Sequence, residues 1–359
     1  MSVEAAGPKC DATDGDYIIV FAKNVAVDRE IKAAPGRAIS AKFRYTNAIN
    51  GFAATLSAEQ VCAFEKRPNI ELIERDQTFS IDTVQTPATW GLDRIDSKAP
   101  SSLRDNSYNY SSTGLGITAY VIDTGIESAH PDLVGAVTGG FTAIADGRGT
   151  TDCNGHGTHV AGTIGGNTWG VAKDVSLVPV RVLDCSGSGS NSGVIAGVDF
   201  VRTAAAGNHG KTVANLSLGG GASTALDTAV SNLIKSGVTV VVAAGNSRAD
   251  ACKSSPARVP AAITVAASDG TDVFATFSNR GKCVDIIAPG VAITSTWLNG
   301  GTNTISGTSM ASPHVAGAVA RYLQSGSTGS QLIADSSVGA IKSVPRGTVN
   351  IFLYISPGK

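Results

Sequence analysis

The chain carries little charge and almost no net charge: 28 basic against 29 acidic residues in 359, a formal balance of -1. No Lys/Arg-rich run breaks that balance, which excludes the electrostatic footprint of a nucleic-acid-binding protein. Long hydrophobic runs are missing as well. The most apolar stretch, 238–244, has the length of a buried strand and falls far short of the ~20 apolar residues that span a bilayer. Neither a nucleic acid nor a membrane is expected as a partner. The opening residues Met1 to Gly7 lack the basic and apolar regions of a secretory signal. The protein is therefore expected either to stay inside the cell or to have lost a signal before Met1. Internal repeats, low-complexity tracts and C-x-x-C spacings are absent, and the last of these argues against a zinc site.

What is present points to a compact enzyme-sized protein. Hydrophobic residues make up 42% of the chain and glycines number 42, a composition of buried sheets, tight turns and close backbone approaches. The length accommodates one large domain and one small one. Of the six cysteines, Cys10 and Cys62 stand apart from Cys153, Cys185, Cys252 and Cys283. The latter four allow three pairings, of which the sequence-local one joins Cys153 to Cys185 and Cys252 to Cys283. Buried free thiols are the alternative.

Residues 1–15 are polar and are expected to be disordered. From 16 to 82 the pattern is strand (17–21), helix (27–33), strands (38–45, 51–56), helix opening at Ser57, strand (69–73). Ser57 and Gln60 form a capping-box pair. This βαββαβ order predicts a small α+β domain of ferredoxin-like type. Residues 84–89 have no periodicity and are expected to link it, exposed, to the rest. Over 83–359, short β-branched runs at 117–123, 176–182, 213–217, 238–243, 262–267 and 284–287 alternate with helical segments at 156–165, 192–206, 223–236 and 309–324. Strands of this kind are buried on both faces, so the fold class is α/β, a doubly wound and mainly parallel sheet. Its site is expected outside the carboxyl ends of the strands.

Four elements along this domain carry chemistry. Asp123 ends a strand and Thr124-Gly125 turns the chain, so its carboxylate can accept from an imidazole N–H. His156 lies between glycines at a helix start, where a bare setting lets the ring reach both a carboxylate and a hydroxyl. His156 and His159 do not read as a metal pair, because zincins use i,i+4 spacing with an intervening Glu. Ser309 opens an apolar helix whose free N–H groups favour negative charge beside a nucleophile. Asn246 follows the strand 238–243 and can donate to a developing oxyanion. Each has a structural alternative when taken alone: a turn-capping Asp, a helix histidine, an N-cap Ser, a turn Asn. A nucleotide-binding reading of Gly114-Leu115-Gly116 fails, since those glycines precede their strand.

Taken together, Asp123-Thr124-Gly125, His156-Gly157-Thr158-His159, Ser217-Leu218-Gly219-Gly220 and Gly307-Thr308-Ser309-Met310-Ala311, with Trp90-Gly91-Leu92, resemble the subtilisin-like serine proteases, most of all their proteinase K/aqualysin branch. The resemblance runs from about 85 to 355. It implies Ser309 as nucleophile, His156 as general base and then acid, Asp123 as its orienter, and Asn246 with the Ser309 N–H as oxyanion hole. It further implies that Gly187-Ser188-Gly189 and Ser217-Leu218-Gly219 pair with substrate backbone. The specificity pocket would be lined by Ser217 to Gly221 and by Ala243, Ala244 and Gly245, small uncharged residues that suit apolar side chains.

The leading domain resembles the family's inhibitory propeptide, whose tail, 74–83 here, would thread the active site and be cut near Asp82–Thr83. A structural Ca²⁺ is implied at the carbonyls of Pro260 and Ala262 and the carboxylate of Asp285. A second family site is expected to be lost, with Ala340 at the aligned position. Asp93, Asp96 and Asp105 offer a different cation site, with an exposed acidic face as the favoured reading. The sequence-local disulfide pairing also fits this branch. The expected protein is a monomeric, secreted serine endopeptidase in zymogen form, acting on proteins and peptides and held by its own propeptide. The competing reading is a catalytically silent binding or inhibitor protein.

Overall fold

A seven-residue strand, β1 (Gly15–Phe21), opens the first of two units, which comprise Met1–Ser80 and Ile81–Lys359. The structure, a computed structural model, describes residues 10–47, 49–76, 83–208, 210–356 and 358–359. Of the expected tail 74–83, residues 77–82 with the cleavage point at Asp82 lie outside the described residues, while Glu74 and Arg75 belong to a strand of the first unit and Thr83 to one of the second. In the first unit β1 is followed by α1 (Val27–Lys32), β2 (Phe43–Tyr45), β3 (Asn50–Leu56), α2 (Ala58–Glu65) and β4 (Ile70–Arg75). The strands form an antiparallel sheet in the order β2-β3-β1-β4. Phe21, Phe52 and Phe64 pack with ring centroids 5.6–6.1 Å apart and anchor the core. Ser57 and Gln60 form a reciprocal capping box that starts α2.

Two expectations fail in this unit. The second strand spans only Phe43–Tyr45 and not 38–45. Disorder over 1–15 does not hold from residue 10 onward, because Cys10 is bonded to Cys62 on α2. Thr13 accepts from the Tyr17 hydroxyl at 2.8 Å, Asp14 accepts from the Ala58 N–H at 2.7 Å, and Gly15 already lies in β1. A polar composition read as disorder was thus overridden by one covalent tie to a helix.

The second unit runs β5 (Thr83–Gln85), α3 (Trp90–Ile95), β6 (Tyr108–Tyr110), β7 (Thr118–Asp123), β8 (Phe141–Thr142), α4 (His156–Gly165), β9 (Ser176–Arg181), α5 (Asn191–Ala204), β10 (Thr212–Leu216), β11 (Gly220–Gly221), α6 (Thr224–Lys235) and β12 (Thr239–Ala243). It continues with β13 (Ser254–Ser255), β14 (Ile263–Ser268), β15 (Ile286–Pro289), β16 (Ile293–Trp297), β17 (Gly301–Ile305), α7 (Thr308–Gln324), α8 (Gly329–Asp335), β18 (Ser337–Val338) and β19 (Ile351–Phe352). A nine-stranded sheet has the order β18-β19-β15-β14-β12-β10-β7-β9-β8, parallel except at the β18–β19 edge.

Alternation along the strands divides the core in two. Ala119 and Val121 of β7 pack with Val160 and Ile164 of α4 and Val315 and Val319 of α7, while Tyr120 and Ile122 pack with Val194 and Val198 of α5 and Val230 of α6. Each such fully buried aliphatic side chain is worth about 1.5–3 kcal/mol. This double layer holds the carboxyl ends of β7, β10 and β12, and hence Asp123, Ser217 and Asn246, in fixed relation.

The segment 84–89 is largely exposed, with Val84 55% exposed, but its start is not structureless: Thr83–Gln85 pairs antiparallel with Tyr108–Tyr110 inside this unit. Asp93 and Asp96 do not form an exposed face. Both are buried, and they accept from the Asn106 and Asn109 N–H groups respectively. Burial pushes both carboxyls up from their ordinary range. Only Asp105 stays at the surface, turned back onto Ser107.

Candidate active site

Asp123 is the last residue of β7 and completely buried. Its Oδ1 accepts from the Thr124 N–H at 2.7 Å and bonds His156 Nδ1 at 2.8 Å. Both bonds need the turn after β7 to be tight. Gly125 adopts φ 108°, and a Cβ there would lie 2.5 Å from the Thr150 carbonyl. His156 opens α4 behind Gly155, itself at φ 104° with the Trp297 ring where a Cβ would be. The imidazole is one-quarter exposed, so its far nitrogen is open to the cleft. Burial disfavours charge on this ring, yet the Asp123 carboxylate, its hydrogen bond and the more distant Asp152 outweigh burial and raise its pKa.

His159, by contrast, is a buried helix histidine. Burial presses its pKa down to about 4, and its Nε2 meets the Ile293 carbonyl at 3.0 Å.

Ser309 does not cap its helix. Gly307 is the residue before α7, and Ser309 sits in the first turn with its hydroxyl donated to the Ser217 carbonyl at 3.1 Å. No hydrogen bond joins it to His156 in this arrangement; catalytic contacts of this kind often close only around substrate. The Ser309 N–H has no acceptor among the described residues, as expected in a first helical turn. Asn246 is held by its amide oxygen, which accepts from the Thr308 N–H at 2.8 Å and the Thr308 hydroxyl at 3.0 Å. Its Nδ2 is therefore the end left for a ligand.

These groups border two adjoining clefts that share Leu218, Gly219 and Gly220 as a common wall. One, of about 480 Å³, contains His156, Ser217 and the Gly187-Ser188-Gly189 run. The other, of about 460 Å³, contains Ser309, Asn246, Ala243, Ala244, Gly245 and Gly221. No charged residue lines the second cleft. The structure thus brings together the acid, imidazole, hydroxyl, amide and both backbone runs singled out in the sequence.

The roles of three residues near the site escaped sequence reading. Asp152 accepts hydrogen bonds on both sides of His156, Thr308 clamps Asn246, and Asn279 receives the Ser247 and Ala249 N–H groups while donating to the Ala244 carbonyl. Asp152 alone carried a signal, an acidic residue just before a helix start.

The second unit contains two disulfides, Cys153–Cys185 and Cys252–Cys283. Asp285 lies beside β14, where its Oδ2 accepts from the Thr264 N–H at 2.8 Å. Burial raises its carboxyl from the ordinary range, and no Lys or Arg among the described residues pairs with it. A partly buried carboxylate that no Lys or Arg among the described residues pairs is an oxygen donor of the kind a hard divalent ion takes.

Comparison with known proteins agrees with this geometry. Residues 114–337 match the subtilase family, and residues 22–82 match the peptidase inhibitor I9 family. An extracellular serine proteinase of Thermus sp. (strain Rt41A) is 53% identical, over 86% of this chain and 76% of the relative. Alkaline serine exoprotease A of Vibrio alginolyticus is 50% identical over 86% of this chain, which spans 59% of that longer protein. A cuticle-degrading protease of Metarhizium anisopliae is 41% identical over 97% of this chain and 91% of its own length. The crystal structure of a cold-adapted subtilisin-like serine proteinase superposes with a TM-score of 0.71 at 52% identity, covering 75% of this chain and 98% of that one. The chain is a serine peptidase of the subtilase family, carrying an I9 inhibitor domain ahead of its peptidase domain.

Proposed function

We propose that the chain is the zymogen of a secreted endopeptidase whose nucleophile is Ser309. The observation that carries this reading is the His156–Asp123 bond of 2.8 Å beside a cleft that holds Ser309 and Asn246. His156 takes the Ser309 proton as the hydroxyl attacks the scissile carbonyl, then returns it to the leaving amine. Asp123 keeps the ring in the right tautomer and stabilises the imidazolium. Asn246 Nδ2 and the Ser309 N–H receive the oxyanion, and water then releases the acyl group. The Gly187–Gly189 and Ser217–Gly219 runs flank the substrate as added strands.

The uncharged lining of the second cleft favours medium and large apolar side chains before the scissile bond. A cleavage profile dominated by Lys or Arg would contradict that. The leading domain acts as the chain's own inhibitor until the peptide bond near Asp82–Thr83 is cut. Ca²⁺ held by Asp285 and the Pro260 and Ala262 carbonyls would stiffen the loops beside the pocket. In that case chelation lowers the melting temperature of the Ser309→Ala chain, and Asp285→Asn abolishes the Ca²⁺ effect; an identical Ca²⁺ response in both would remove this site from the account.

The test of the whole reading compares the chain with its Ser309→Ala variant, following chain mass and casein hydrolysis. Processing near residue 83 and hydrolysis in the parent alone support it. Equal inertness of the two would favour a catalytically silent protein.

A further inference from the structure

Asp152 is buried, 5% exposed, and both of its oxygens are used. Oδ1 accepts from the Thr124 hydroxyl, the Asn154 N–H and the Gly155 N–H, each at 2.9 Å. Oδ2 accepts from the Thr158 N–H at 2.9 Å and its hydroxyl at 2.7 Å. The Thr124 hydroxyl in turn accepts from the Gly157 N–H at 2.8 Å. Thr124 adjoins Asp123, while Gly155, Gly157 and Thr158 surround His156. One carboxylate therefore binds the residue next to the acid and the residues either side of the base.

We propose that Asp152 is a positioning residue for proton transfer at His156, tying the Asp123–Thr124 turn to the first turn of α4 so that carboxylate and imidazole keep their separation. The proposal rests on the reading of Asp123, His156 and Ser309 as the reacting groups. Ordinary helix capping would account for the bonds to Gly155 and Thr158, but not for the strut to Thr124 on another element. Misplacing a reacting group by about 1 Å can cost about 100-fold in rate, so such a strut matters even though it touches no substrate.

The carboxylate has an electrostatic consequence too. The charged or titratable groups around His156 are Asp123 on β7, Asp152 on the preceding loop and His159 on its own helix. Arg181 of β9 lies in the field of Asp152, together with Asp146 and Asp184. Asp123 and Asp152 both favour the imidazolium. Removing the Asp152 charge lowers the pKa of the base, and the acid limb of kcat/KM must then move to lower pH.

The test uses the full chain and its processed product, with rates expressed per site titrated by a fluorophosphonate. Parent, Ser309→Ala, Asp152→Asn, Thr124→Val and Thr124→Ser are compared on a small peptide substrate between pH 4.5 and 9. Asp152→Asn is expected to lose about 10- to 100-fold in kcat, with KM within about twofold and the acid limb at lower pH. Should Asp152→Asn not fold, the Thr124 pair decides: Thr124→Val is expected to lose kcat and Thr124→Ser, which keeps the hydroxyl, to recover it.

A folded Asp152→Asn with its acid limb unmoved would overturn the proposal, as would a Thr124→Val as fast as the parent. These failures are distinct from failure of the peptidase reading, in which the parent would be no more active than Ser309→Ala.

Discussion

Ser217 and Ser309 exchange hydrogen bonds: the Ser309 hydroxyl donates to the Ser217 carbonyl at 3.1 Å, and the Ser217 hydroxyl donates to the Ser309 carbonyl at 2.8 Å. The second bond has a covalent origin. Pro313 lies inside α7, four residues after Ser309, and has no N–H to give to that carbonyl. Ser217 fills the gap, and its own oxygen accepts from Asn215 Nδ2 at 2.9 Å. The proposed nucleophile is thereby fastened to the strand end that leads into Leu218-Gly219-Gly220, the wall shared by both clefts. Its hydroxyl must leave the Ser217 carbonyl before it can give a proton to His156.

Ser217→Ala leaves the Ser309 carbonyl and the Asn215 amide without this partner. The expected cost is about 1–3 kcal/mol of stability, read as a lower denaturant midpoint in the Ser309→Ala background. An unchanged midpoint would mean that water replaces the hydroxyl at no cost.

Asn246→Ala removes the proposed side-chain oxyanion donor and spares Ser309, His156 and the Leu218-Gly219-Gly220 wall of the cleft. A fall in kcat of about 100- to 1,000-fold is expected with KM nearly constant, the pattern of an interaction made in the transition state. Steady-state kinetics on a peptide anilide checks this. A rise in KM at constant kcat would assign Asn246 to ground-state binding instead.

Much of this was legible beforehand because the peptidase core is built from local signals. The β-branched runs around 118–123 and 239–243 had to be buried strands, and Asp123, His156 and Ser309 stood in small-residue settings at element ends. The Ser57–Gln60 box likewise marked its helix start. Most of what escaped depends on contacts far apart in sequence. Cys10 finds Cys62, Thr83–Gln85 pairs with Tyr108–Tyr110, and Asp93 and Asp96 are met by the N–H groups of Asn106 and of Asn109 in β6. The β16–β17 hairpin, Ile293–Trp297 with Gly301–Ile305, escaped because its Thr- and Asn-rich alternation is weakly apolar. No periodicity encodes the long-range pairings, because they arise from loop closure and not from local propensity.

His314 supplies a pH prediction for stability. Burial drives its pKa down to about 4, while its Nδ1 bonds the Met310 carbonyl at 2.8 Å. An unfolded histidine takes up its proton near pH 6.5, so below that pH the unfolded chain binds more protons than the folded one. Stability contributed by the neutral ring is complete above about pH 6.5 and is lost as pH falls towards 4. In the Ser309→Ala background, His314→Asn should therefore cost less at pH 4.5 than at pH 7, by about 2–3 kcal/mol. Equal costs at the two values, measured by denaturant unfolding, would show that the folded protein protonates this ring normally.

The Cys10–Cys62 bond closes a loop of 52 residues in the inhibitor domain, worth about 4 kcal/mol of unfolded-state entropy. Replacing both cysteines by serine in the Ser309→Ala chain should speed amide exchange in β1 and β3 by up to about a thousandfold. Unchanged protection there would mean that the three-phenylalanine core suffices by itself.

The central claim is that Ser309 is the nucleophile and that the His156–Asp123 pair activates it. It is tested most directly by mapping the adduct of a fluorophosphonate on the processed protein by peptide mass spectrometry. One adduct per chain is expected on Ser309, formed far more slowly in His156→Ala and absent from Ser309→Ala. Labelling at another residue, or peptide hydrolysis by Ser309→Ala at the parent's rate, would contradict the account.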